Sequence, residues 1–131
     1  MSGLEGQISI FTLLEGYDAP HMPFEACKAG VIAWTIECTA ITNSWDSAAP
    51  VLYLAARPRK IRFKADSKKD QYGWSLYYDS VGGPGEYFGG WGSRCEVFVN
   101  RPTDADCERF TRERYGKDKR ITAETPFRMW I

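Results

Sequence analysis

The sequence predicts an α+β fold, with an antiparallel sheet of five to seven strands and one main helix, at about residues 103–115, packed on it. Three observations carry this expectation. Several stretches alternate apolar and polar residues, the period of a half-buried strand. Aromatic residues make up 15% of the 131 residues, with five Trp, seven Tyr and seven Phe, and such side chains favour pleated surfaces and interfaces. A single segment, near the C-terminus, carries both a helix start signal and a helix stop signal. A chain of this length buries roughly two-thirds of its unfolded surface and needs no staple to fold. Its apolar share of 44% is ordinary for a globular protein.

Taken in order, residues 1–20 read as an N-terminal arm and residues 21–131 as a single α+β domain. Within the arm, Ile8, Ile10, Phe11, Leu13 and Leu14 suit a short amphipathic turn of helix. Pro20 and Pro23 keep residues 17–23 extended, and a short helix at 24–29 is closed by Gly30. Residues 31–42 alternate: Ile32, Trp34, Ile36, Cys38 and Ala40 share one strand face, and Thr35, Glu37 and Thr39 the other. A polar loop at 43–50 carries Trp45. Residues 51–56 form a buried strand, Pro58 interrupts it, and 60–65 resumes with Ile61, Phe63 and Ala65 facing inward.

Residues 68–73 are a charged turn. A strand at 74–80 puts Trp74, Leu76 and Tyr78 on one face. Gly82, Gly83, Pro84 and Gly85 make a turn, where glycine reaches positive φ cheaply, and short strands follow at 86–90 and 94–99. The helix takes Thr103 as N-cap, with Asp104 and Asp106 in the first turn, where the helix dipole favours acids. Ala105, Cys107, Phe110 and Tyr115 are spaced to meet the sheet, and Gly116 ends the helix. The tail, with Phe127, Met129 and Trp130, docks as an edge strand.

Charge is balanced overall but unevenly placed. Residues 1–46 hold six acids and one base, net −5, which leaves +5 on residues 47–131. The basic run holds Arg57, Arg59, Lys60, Arg62 and Lys64. On a strand, Lys60, Arg62 and Lys64 share a face opposite Ile61 and Phe63, in line to track a phosphate backbone while bases stack on Tyr77 or Trp91. The same row also suits a solvated edge strand, where cations discourage sheet-to-sheet pairing.

Little in the chain speaks for catalysis. The glycines from 82 to 92 lack the Gly-Lys-Ser/Thr of a phosphate loop and the strand-to-helix setting of a dinucleotide fingerprint. Cys27, Cys38, Cys95 and Cys107 lack the close pairing of zinc ligands, so no metal and no cofactor is expected. His21 is the one histidine and lies in a proline-flanked acidic stretch. No apolar run reaches membrane length, no signal peptide is expected, and a reducing cytoplasm is the expected setting.

The most specific short feature is Gln7-Ile8-Ser9-Ile10-Phe11. It resembles the peptide by which bacterial replication and repair proteins dock on the DNA polymerase sliding clamp: Gln, any residue, Ser or Asp, Leu, Phe. Gln7, Ser9 and Phe11 match that pattern, and Ile8 and Ile10 stand where it favours leucine. The resemblance implies that Ile10 and Phe11 fill an apolar pocket while the Gln7 amide bonds backbone groups beside it. The general build, such a peptide ahead of a small aromatic domain, looks like that of small phage and mobile-element proteins of Gram-positive bacteria. The expected function is therefore a non-enzymatic accessory protein that docks on a bacterial sliding clamp through Gln7, Ser9, Ile10 and Phe11. A nucleic-acid-binding module for DNA or RNA, using the basic strand 57–64, is the first alternative. An inhibitor of a host defence nuclease, presenting the acidic first half to a basic groove, is the second.

Overall fold

A computed structural model of the chain describes residues 17–46, 48–82, 86–91 and 96–130, with residues 86–91 described by their backbone. The strands are β1 (Ile32–Thr42), β2 (Val51–Phe63), β3 (Lys68–Asp70), β4 (Gly73–Ser80), β5 (Glu86–Trp91) and β6 (Phe127–Met129), and the helix α1 is Asp104–Arg114. They hydrogen-bond in the order β1-β2-β4-β3, with β5 on β4 and β6 on β2. The class is α+β, as the alternating patterns and the single well-marked helix predict. The tail does add a strand, but β6 runs parallel to β2, with Leu54, Ala55 and Ala56 opposite Phe127, Arg128 and Met129.

The chain folds as two compact units that share β1 and β2. The first holds the described residues among 17–18, 36–57 and 103–130, and the second those among 19–35 and 58–102.

In the second unit the core is Cys27, Ala33, Ile61, Phe63, Leu76, Tyr78 and Val97, with Met22, Phe24 and Val31 against it. Strict alternation over 60–63 puts Ile61 and Phe63 inside and Lys60 and Arg62 in solvent, as period two requires. Phe63 faces Tyr78 across the β2–β4 ladder, with the rings edge-on at 6.0 Å. Burying side chains of this size contributes about 1.5–3 kcal/mol each. Two bonds tie this end of β2 to the start of β1: Gly30 N–H donates to the Phe63 carbonyl at 2.8 Å, and Phe63 N–H to that of Val31 at 3.0 Å.

Four details depart from the sequence reading here. The helix expected at 24–29 is a single 3-10 turn, Phe24–Ala26. The charged turn at 68–73 is a hairpin: Asp70 pairs with Gly73, and the Asp70 carboxylate accepts the Tyr72 N–H at 2.8 Å. Gly73, at φ 116°, supplies the positive dihedral that closes it. Among the described residues of the expected strand 94–99, Phe98 makes isolated bridges to His21 and Trp34. The inward face of β1 also changes: Ala33 and Ile36 are buried, and Ile32 is exposed. The buried pair lie three positions apart, an odd spacing, so one face cannot hold both.

In the first unit, Leu54 and Ala56 of β2, Ile36 of β1, and Cys107, Phe110 and Thr111 of α1 are buried. Positions 106, 107, 110 and 111 form one stripe of the helix. Ala105, expected on that stripe, is exposed, and Tyr115 is half-buried. The helix start is a capping box: the Thr103 hydroxyl accepts the Asp106 N–H at 3.1 Å, and Asp106 Oδ2 accepts the Thr103 N–H at 3.0 Å. Asp106 Oδ1 takes the Asp18 N–H at 2.6 Å, and the buried Tyr17 hydroxyl donates to Glu113 at 2.9 Å. Tyr17 and Asp18, which the sequence places at the end of the arm, are thereby fixed to α1.

Pro58 does not break β2. It falls between the residues paired with β6 (54–56) and those paired with β4 (61–63), where no donor is asked of it on that edge. The loop from β1 to β2 is held by its own polar groups. Asp46 Oδ1 accepts the Ala48 N–H at 2.9 Å, and Ser44 Oγ accepts the Asp46 N–H at 3.1 Å. Trp45 projects from it fully exposed.

Candidate functional site

The first unit carries a groove with a volume of about 400 Å³. Its walls are Thr39 and Ile41 of β1, Tyr53 and Ala55 of β2, Arg128 and Met129 of β6, and Trp130. The pleat explains the selection. Thr39 and Ile41 project from one face of β1, and Tyr53 and Ala55 from one face of β2. Parallel pairing sets Arg128 opposite Ala55, and the Trp130 N–H closes the ladder on the Ala56 carbonyl at 2.7 Å. Ala55, with one methyl group, leaves the volume open.

Two arginines lie on aromatic rings beside this groove. The Arg128 guanidinium carbon is 4.1 Å from the Tyr53 ring centroid, and that of Arg57 is 4.3 Å from the Trp130 ring. Each contact contributes about 0.5–1 kcal/mol at an accessible site. Arg57 also donates from Nε to Glu37 Oε1 at 2.9 Å. Arg128, in contrast, is exposed and makes no hydrogen bond or ion pair within the described residues. Its guanidinium donors are oriented by the tyrosine and remain available to an anion.

The residues singled out from the sequence are distributed as follows. Gln7, Ser9, Ile10 and Phe11 lie outside the described residues. Arg57 joins the arginine–aromatic groove. Arg59 donates to Ser80 Oγ at 2.6 Å in the second unit. Lys60, Arg62 and Lys64 are exposed there, with Arg62 opposite Asp79 in register and Lys64 3.9 Å from the Asp79 carboxylate. One acid thus sits within the row of cations. Tyr77, a proposed stacking ring, is half-buried, and the side chain of Trp91 lies outside the described residues.

His21 does not stand alone. Its Nε2 is 2.6 Å from Glu96, and its ring lies 4.6 Å from that of Phe98, tilted by 38°. The Thr35 hydroxyl and the Met22 N–H reach the same segment, on the carbonyls of Glu96 and Val97. These contacts pin residues 21–22 to residues 96–98. Cys38 is half-buried beside α1, and burial is the main cause that raises its pKa, opposed by Arg114 and by a hydrogen bond with Thr111. Burial likewise raises Tyr115, with Cys38 adding to it. A buried thiol of that kind is a poor nucleophile. Among the described residues, no three His, Cys, Asp or Glu side chains are grouped to hold a metal ion.

Sequence reasoning missed the groove. Tyr53 sat within an apolar run and Arg128 within an apolar tail, and only the parallel pairing brings them together. No helix among the described residues is long and apolar enough to cross a membrane. No family model, no curated protein and no solved structure matches this chain.

Proposed function

We propose that this chain is an accessory binding protein of a phage or mobile element, and that it docks on a bacterial sliding clamp through Gln7, Ser9, Ile10 and Phe11. The observation that supports the reading is the order of side chains in residues 7–11: an amide, a small hydroxyl, then an aliphatic and an aromatic in succession. Two adjacent apolar side chains fill a pocket, and the amide fixes register on backbone groups. An extended peptide must be ordered on binding, so each contact yields modest affinity and the closing Phe11 carries a large share. Retention of the full chain on immobilised clamp tests this. Wild type is retained, and a Gln7→Ala/Phe11→Ala double variant is lost. Equal retention of the two removes the docking reading.

A second reading, a nucleic-acid-binding module, is favoured by the exposure of Lys60 and Arg62 on one face of β2 and of Lys64 just beyond its end. Such binding weakens steeply with salt because each phosphate contact releases counterions. Single-strand binding that survives unchanged in a Lys60→Ala/Arg62→Ala variant would remove it.

A further inference from the structure

We propose that the arginine–aromatic groove of the first unit is a binding site for a nucleobase–phosphate unit, presented by a free nucleotide or by a single strand of DNA or RNA. The inference is independent of clamp docking, which uses residues 7–11, and of the cation row at 60–64.

Three features carry it. The first is Arg128. A guanidinium offers five N–H donors in a planar fork that matches a phosphate with two parallel bonds. That of Arg128 is exposed, 4.1 Å from the Tyr53 ring, and bonded to no acceptor within the described residues. Its orientation is therefore already restricted before any anion arrives, which lowers the ordering cost of binding. Arg57 adds a second guanidinium at the same rim, paired with the Glu37 carboxylate.

The second feature is the wall. Arg128 and Arg57 already lie over the Tyr53 and Trp130 rings, so a base stacks on the outer guanidinium planes or on the ring surface these leave free, and Ile41, Met129 and Ala55 give the rest of the groove an apolar lining. The third is size. A volume of about 400 Å³ falls in the range of small-ligand sites, ample for one base with its phosphate. A bare oxyanion would use Arg128 but leave the aromatic wall empty. A cationic ligand would face Arg57 and Arg128 as like charges. The chemistry that uses every wall is a flat heteroaromatic ring joined to an anion.

The test uses the full chain and three probes: a fluorescent oligo-dT single strand, adenosine monophosphate and inorganic phosphate. Anisotropy reads the strand, and calorimetry reads the two small molecules. Arg128→Ala is expected to weaken binding of the strand or the nucleotide by about tenfold or more, and Arg128→Lys to restore only part of it, since lysine lacks the planar fork. Tyr53→Ala should weaken binding in parallel, with thermal unfolding as the check on its fold. Lys60→Ala/Arg62→Ala should leave nucleotide binding unchanged. Binding of the nucleotide and the strand alike identifies a nucleotide site, and binding of the strand alone identifies a strand site. The proposal is overturned if neither binds more tightly than about 1 mM, if Arg128→Ala binds within twofold of wild type, or if inorganic phosphate binds as tightly as the nucleotide.

Discussion

The two halves of strand β2 face opposite demands. In the first unit, Leu54, Ala55 and Ala56 are 0, 4 and 0% exposed in succession, so both faces of the strand are largely shielded there, the Ala55 face beneath the groove. In the second unit, Ile61 and Phe63 are each 1% exposed while Lys60 and Arg62 between and beside them face water. The contrast teaches how one strand carries charge. Where a single face is wet, the pleat alone sorts cations outward. Where both faces are covered, a cation persists by lying on a ring and pairing with an acid, as Arg57 does with Trp130 and Glu37. Cations in the first arrangement face water, and those in the second are held in fixed places.

The largest effects belong to the buried positions. Phe63→Ala is expected to cost about 3–5 kcal/mol and Leu54→Ala about 2–5 kcal/mol in urea unfolding, because each leaves a cavity that its neighbours fill only in part. Lys60→Ala should stay within about 0.5 kcal/mol of wild type, as surface substitutions do. If Lys60→Ala approached the cost of Phe63→Ala, the sorting described for the second half would be wrong.

A middle effect tests the first unit away from β2. Asp106→Ala removes the acceptor for two backbone N–H groups, Thr103 and Asp18, and should cost about 2 kcal/mol, read as a fall in denaturation midpoint. Asp106→Asn keeps one acceptor oxygen and should lie between that variant and wild type. A neutral Asp106→Ala would mean that the helix start draws its stability from packing alone.

The smallest effect is a pH response. Hydrogen bonds from Arg120 hold the Asp118 carboxyl at about 2, below its ordinary 3.8. A lowered folded-state value stabilises the fold above the unfolded value, and that contribution is lost as pH falls from near 3.8 through about 2. The pair is solvent-exposed, so the loss should be slight and should shrink further in salt. Carboxyl NMR shifts give the check: an Asp118 midpoint near 4, unmoved by Arg120→Ala, would dispose of the pairing.

Much of the fold was legible because its signals are local. Thr103, Asp104 and Asp106 spell out a helix start within four positions, and the cap geometry follows from those side chains alone. Lys60, Ile61, Arg62 and Phe63 alternate because one face of that half-strand is wet. Legibility fails where neighbours distant in sequence decide. Pro58 reads as a strand breaker until the pairing of β2 with β6 and β4 shows that its missing donor falls between them. Ile32 and Ile36 look equivalent in an alternating run, yet the buried face of β1 changes between Ala33 and Ile36. The groove was illegible for the same reason, since its aromatic and cationic walls come from β2 and from a segment far downstream. The amide-to-aromatic peptide at 7–11 is a linear pattern and lies outside the described residues.

Strand β6 joins Leu54 to Phe127, 73 positions apart in the chain. Closing a loop of that length costs about 4 kcal/mol in chain entropy, repaid here by a three-residue ladder and two ring contacts. So short a seam is a natural place for the molecule to open first. A ligand held between Arg128 and Tyr53 would add a bridge from β6 to β2, and slower deuterium uptake at the 128–130 amides in its presence would register it.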